Sequence, residues 1–159
     1  MRLSDVAEVS LSVEGEVPSG PMASLSSVIG NWMSSGTTIG SPTAPAVTIE
    51  GTDTYAWLLG GAYVLHTVDV YMGNERVRAV EVIGGLDDAS GTFPMRSFDG
   101  EGAYSEMQAS TSDNGYAFEG EEIRADLTVD RGGNKMSARW ERLDGDGWVH
   151  WMDMTFTRK

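Results

Sequence analysis

DNGYAFEGEEIRADLTVDRGGNKMSARWERLDGDGWVHWMDMTFTR, residues 113–158, contains three breaks and four runs. The breaks are Asp113-Asn114-Gly115, Gly132-Gly133-Asn134 and Asp144-Gly145-Asp146-Gly147. Gly and Asn reach positive φ at little cost, which is what tight hairpin connections demand. The runs between them set Trp, Tyr, Val, Thr and Phe against small or charged residues, as half-buried strands do. Residues 115–120, 122–130, 134–143 and 147–158 therefore read as strands, each the antiparallel neighbour of the next.

The same grammar extends upstream. Breaks at Gly60-Gly61, Gly73-Asn74, Asp87-Asp88-Ala89-Ser90-Gly91 and Asp99-Gly100 separate expected strands at 31–39, 46–58, 62–72, 76–84, 92–98 and 102–110. No helical stretch intervenes, so a parallel α/β sheet is excluded, and closing the sheet on itself removes its adhesive edges. The fold class expected is all-β: an antiparallel up-and-down closed barrel of about nine or ten strands. Ser24-Leu25-Ser26-Ser27-Val28-Ile29, ending at Gly30, predicts one or two helical turns plugging a barrel end. Residues 1–23 are rich in Ser, Glu, Gly and Pro; Ser10–Glu14 alternates like an edge strand but has no hairpin partner nearby. The division expected is a flexible N-terminal segment, 1–23, and one barrel domain, 24–159.

Composition narrows the function classes. The formal charge of −13 opposes binding to phosphate backbones and to anionic lipid. No apolar run approaches the ~18 residues of a membrane-spanning helix. Without cysteine there is no disulfide, thiolate zinc site or cysteine nucleophile. Asp5, Glu8, Glu14 and Glu16 interrupt the region where a secretory signal would be apolar, so a cytoplasmic location is expected. A P-loop, a dinucleotide-binding glycine fingerprint and a nucleophile elbow are all missing.

Several pieces in order resemble the calycin superfamily, and most closely a family of lipocalin-like bacterial domains of uncharacterised function, over residues 25–159. The pieces are Gly30-Asn31-Trp32, Leu59-Gly60-Gly61-Ala62-Tyr63, Gly85 to Phe93, Arg96-Ser97-Phe98-Asp99 and the closing Met154-Thr155-Phe156-Thr157-Arg158. The resemblance implies that Trp32 closes one barrel end with the Arg158 guanidinium stacked across its indole, a structural contact. It confers no function, since related barrels carry very different ligands. The nitrobindins, a related haem-binding family, place a His on the last strand; here that position falls on Trp151, which cannot ligate iron.

If Trp32 and Arg158 point inward, strict alternation places Phe156, Met154, Met152, His150 and Trp148 on the same inner face. Met152 and Met154 would then meet an irregular apolar ligand or simply fill a core, with Met136 and Trp140 beside them. His150 would act as a general base or iron ligand, or be a satisfied core side chain. His66 has apolar residues on both faces of its run, so alternation leaves its direction open; inward, it would pair with Glu81 or Glu106 in acid–base chemistry. Both acids face solvent in the alternative reading. Arg96 would grip a ligand carboxylate if inward and is an ordinary surface charge if outward. Asp144-Gly145-Asp146-Gly147 lacks the further oxygen ligands of a calcium loop, and no metal or other cofactor is expected.

Two functions follow. In the first, the barrel binds a small, largely apolar molecule in its lumen. In the second, it is a cofactor-independent enzyme performing cyclisation, isomerisation or proton transfer on a hydrophobic metabolite. Haem binding and a purely structural barrel are weaker alternatives. The expected partner is a small hydrophobic molecule, with no nucleic acid or membrane, and the chain is expected to be a monomer or homodimer.

Overall fold

Ten short-looped strands close with little strain when each pairs with its predecessor and the last returns to the first. The computed structural model, which describes residues 11–12 and 17–159, has this arrangement. The barrel strands are β2 (Gly30–Thr38), β3 (Thr48–Leu58), β4 (Tyr63–Met72), β5 (Glu75–Ile83) and β6 (Phe93–Asp99), followed by β7 (Tyr104–Ser112), β8 (Gly115–Gly120), β9 (Ile123–Val129), β10 (Lys135–Asp144) and β11 (Gly147–Arg158). Every pairing is antiparallel and sequential, and β11 closes the ring on β2 with Arg158 opposite Trp32 and Met152 opposite Thr38. Gly73 and Gly145, both at φ 62°, take the left-handed conformation in two of the tight hairpins.

A further strand, β1 (Leu11–Ser12), pairs with Leu58 and Trp57, taking up the ladder of β3 beyond Tyr55, where β2 begins. The edge-strand alternation at residues 10–14 thus has a partner at Leu11 and Ser12, supplied by a distant strand rather than a hairpin. Most of the expected flexible segment, residues 1–10 and 13–16, lies outside the described residues.

The plug is a 3-10 helix, Pro21–Val28, three residues longer at its start than its apolar segment indicated. Pro21 suits the first turn because its missing N–H would have no partner there. Met22, Leu25 and Val28 recur every three residues, the period of a 3-10 helix, and all three are buried. Burying each contributes roughly 1.5–3 kcal/mol. The Tyr116 hydroxyl ties the plug to the wall, donating to the Ser24 carbonyl at 2.6 Å and lying 2.6 Å from Ser27 Oγ.

Trp32 is fully buried beneath this plug, and its indole N–H donates to the Val28 carbonyl at 2.8 Å. The Arg158 guanidinium stacks on it, 4.2 Å from the ring centroid, the arrangement implied by the calycin resemblance. Arg158 also donates to the carbonyls of Ile29 at 2.7 Å and Gly133 at 3.0 Å. Gly30 has φ 140°, and a Cβ there would stand where the guanidinium lies. No helix among the described residues is long and apolar enough to cross a membrane.

Strict alternation fails once on the closing strand. Trp140 pairs with Met152, but Glu141 pairs with His150, leaving Trp151 as a β-bulge. The extra residue reverses the facing of everything toward the hairpin tip.

Candidate functional site

Above the floor the barrel encloses a cavity of about 270 Å³. Its wall is mainly apolar, with Trp140, Met152, Met154 and Phe156 from the closing strands and Val68, Val70 and Met72 from β4. The plug seals one end; Met72, Val77, Trp140, Trp151 and Met152 are half-buried near the opposite rim.

One side of the wall is polar. Cross-strand register places Tyr55, His66, Glu81 and Ser97 in a row over β3 to β6. Asp53, two residues before Tyr55, shares its inward face, and Ser34 on β2 sits opposite Gly51, where no side chain blocks it from reaching Asp53. The resulting chain is continuous. Ser34 Oγ donates to Asp53 Oδ2, His66 Nε2 lies 2.6 Å from Asp53 Oδ1, and His66 Nδ1 lies 3.1 Å from Glu81 Oε1. Tyr55 stacks on the imidazole.

Ser34, Asp53 and Glu81 are each at most 5% exposed. Burial pulls the His66 pKa down, but hydrogen bonds to Asp53 and Glu81, with their charges, outweigh it and hold it at about 9. Burial, followed by the Asp53 and Glu81 charges, pushes the Tyr55 phenol well above its ordinary value. Both imidazole nitrogens and both Asp53 oxygens are therefore engaged. Glu81 differs: among the described residues no hydrogen bond reaches Oε2, and Glu81 lines the cavity. Two acidic side chains thus share a single imidazole.

The structure brings together His66 and Glu81 and places Trp140, Met152, Met154 and Phe156 around them. Four other sequence candidates lie elsewhere. His150, expected inward, is on the outer face because of the Trp151 bulge, and its Nε2 lies 2.8 Å from Asp153 Oδ1. Arg96, considered as a carboxylate clamp, is also outside: its neighbours Met95 and Ser97 line the cavity, while its own side chain reaches toward Glu106 at 3.7 Å. Glu106 is thereby outside as well. Met136, expected in the ligand wall, is only 1% exposed and packs in the core opposite Val129 and Phe156 without lining the cavity.

Asp53, Tyr55 and Ser34 escaped the sequence reading although a signal was available. Ile49, Gly51, Asp53, Tyr55 and Trp57 fall on one face of β3, so an inward Tyr55 and Trp57 carry Asp53 inward with them. Ser34 follows Trp32 by two residues in the same way. The side chains do not fit an iron site, since His66 has both nitrogens engaged, His150 is outside, and Trp151 occupies the position aligned with the nitrobindin ligand.

Comparison with known proteins gives the fold and the family. The crystal structure of Rv2717c from M. tuberculosis is similar with a TM-score of 0.62 at 12% identity, covering 89% of this chain and 99% of that one. A de novo designed fluorescence-activating β-barrel gives a TM-score of 0.44 at 11% identity over 82% of this chain and 93% of that one. No curated protein matches the sequence. The model of a family described as a protein of unknown function, DUF1579, matches residues 17–158, and the chain belongs to that family.

Proposed function

We propose that the barrel binds a small, predominantly apolar molecule in its lumen. The observation that carries this reading is the 270 Å³ cavity, whose mainly apolar wall meets a convergent polar cluster. Ligand sites combine these two features, and the volume lies just below their usual range of roughly 300–1,000 Å³, which suits a small ligand. Affinity comes mostly from apolar area, and the polar cluster orients the ligand. Native mass spectrometry of the freshly purified protein, with solvent extraction, tests the reading. A retained small molecule supports it; a clean apo mass together with no uptake of apolar probes such as Nile red counts against it and favours a purely structural barrel.

A second reading is proton-transfer catalysis by a cofactor-independent enzyme, favoured by one feature, the buried Glu81 oxygen beside His66. In this reading Glu81 is the base and His66 its positioning partner, which the commitment of both ring nitrogens of His66 to carboxyl groups supports. A turnover assay on whatever the extraction recovers separates the two readings: conversion that is lost in Glu81→Gln identifies an enzyme, and unchanged ligand identifies a binding protein.

A further inference from the structure

The polar side of the lumen carries the hydroxyls of Tyr55 and Ser97 and one carboxylate oxygen, Glu81 Oε2, and of these the carboxylate is the group an apolar ligand satisfies least. Glu81 Oε2 belongs to a side chain that is 7% exposed, and it faces the cavity without a protein donor among the described residues. That oxygen is open to the lumen, so a ligand that fills the lumen must either donate to it or strip it of solvent. The imidazole, the Asp53 carboxylate and the Ser34 hydroxyl behind it are all engaged, and the hydroxyl of Ser97, paired across from Glu81, makes no hydrogen bond to it.

Resting on the lumen-binding reading above, we infer that the ligand is a small organic cation, a protonated amine on an apolar body, whose ammonium donates to Glu81 Oε2. Three features converge on this class. Asp53 and Glu81 share the single imidazole of His66, and among the described residues no Lys or Arg lines the cavity, so an anionic ligand meets acids and finds no cation to pair with. Trp140 and Trp151 line the cavity toward the rim, and indole rings attract organic cations. The hairpins of the open end expose Glu75, Glu101, Glu121, Glu122, Asp144 and Asp146, with Arg142 beside them, a field that draws cations toward the mouth.

The test is isothermal titration of the full chain at pH 7 with three probes of equal length, n-octylamine, n-octanol and octanoate. The expected result is octylamine at least ~10-fold tighter than octanol, with octanoate weakest, as a charge-assisted hydrogen bond predicts. That advantage persists in about 0.5 M NaCl, because a buried pair is screened far less than surface charges, and octanol displaces bound octylamine. Glu81→Gln brings the amine-to-alcohol ratio close to one. Equal affinities in the unmodified protein, or an amine advantage that salt abolishes, overturn the inference and leave lumen binding standing. No binding by any of the three overturns both. If Glu81→Gln fails to fold, the unmodified ratio, its salt dependence and the octanol competition decide the matter.

Discussion

The imidazole of His66 lies flat against the phenol ring of Tyr55, centroids 3.9 Å apart and planes 7° from parallel. The face of the imidazole is thus covered by an aromatic ring while both of its edges are held by carboxylates. The whole ring is fixed in the wall rather than free in the lumen.

That setting predicts a measurable titration. The imidazole should titrate at about 9 rather than its ordinary 6.5, visible by NMR as proton loss far above neutrality. Since the folded value exceeds the unfolded one, the contribution to stability is complete below pH 6.5 and is lost as the pH rises through about 9. Unfolding free energies from urea titrations between pH 6 and pH 10 should fall over that window, by on the order of 3 kcal/mol in total. A flat profile would show that the carboxylates do not stabilise the imidazolium.

Removing the imidazole should hurt more than removing the cluster. His66→Gln leaves Asp53 and Glu81 buried without their cation, and breaking a buried pair in this way costs about 3–5 kcal/mol. Adding Asp53→Asn and Glu81→Gln to His66→Gln should recover a substantial part of that loss in chemical denaturation. A triple variant less stable than His66→Gln alone would contradict this account.

At the floor, Arg158→Met should lower stability by about 1–3 kcal/mol, combining a lost cation–π contact with carbonyls left short of donors. Gly30→Ala should act through the same residue, because its methyl claims the guanidinium's space. Thermal melts of the two single variants and the double variant check the coupling; full additivity would mean that Gly30 matters only for its backbone.

The tether predicts local rather than global loosening. Tyr116→Phe keeps the ring but removes the hydroxyl that holds Ser24 and Ser27, costing roughly 1 kcal/mol. Amide hydrogen exchange at 24–28 should accelerate while strands β8 and β9 stay protected. Equal acceleration throughout the barrel would mean the plug and wall open as one unit.

For the lumen, Met152→Ala and Trp140→Ala should each weaken Nile red binding several-fold through lost apolar contact. His150→Ala, on the outer face, should leave it unchanged. A large loss from the His150 change would require an inward imidazole.

The strands were legible because their punctuation is chemical: at Gly73-Asn74 and Gly145-Asp146 the residue types that make a hairpin inexpensive are visible directly. The facing of side chains was legible only where alternation is unbroken. Trp32, Met154 and Phe156 follow from it, whereas His150 does not, since no residue type announces that Trp151 will be the unpaired one. Glu81 was legible as a partner for an inward His66, but its facing stayed open for a different reason. A buried acid is rare unless partnered, and its partners come from β3 and β4, strands whose register the linear sequence does not display.

The Trp151 bulge makes the closing strand longer than its neighbour by one residue of slack. Losing Trp151 would remove the slack and leave every other side chain of β11 on its present face. Adding one residue between Trp140 and Glu141 would use the slack instead, turning both His150 and Glu141 into the mouth of the lumen and moving the irregularity to the ladder between β9 and β10. A single insertion on one strand can thus install an imidazole and a carboxylate where the barrel now has neither, without altering any residue already present.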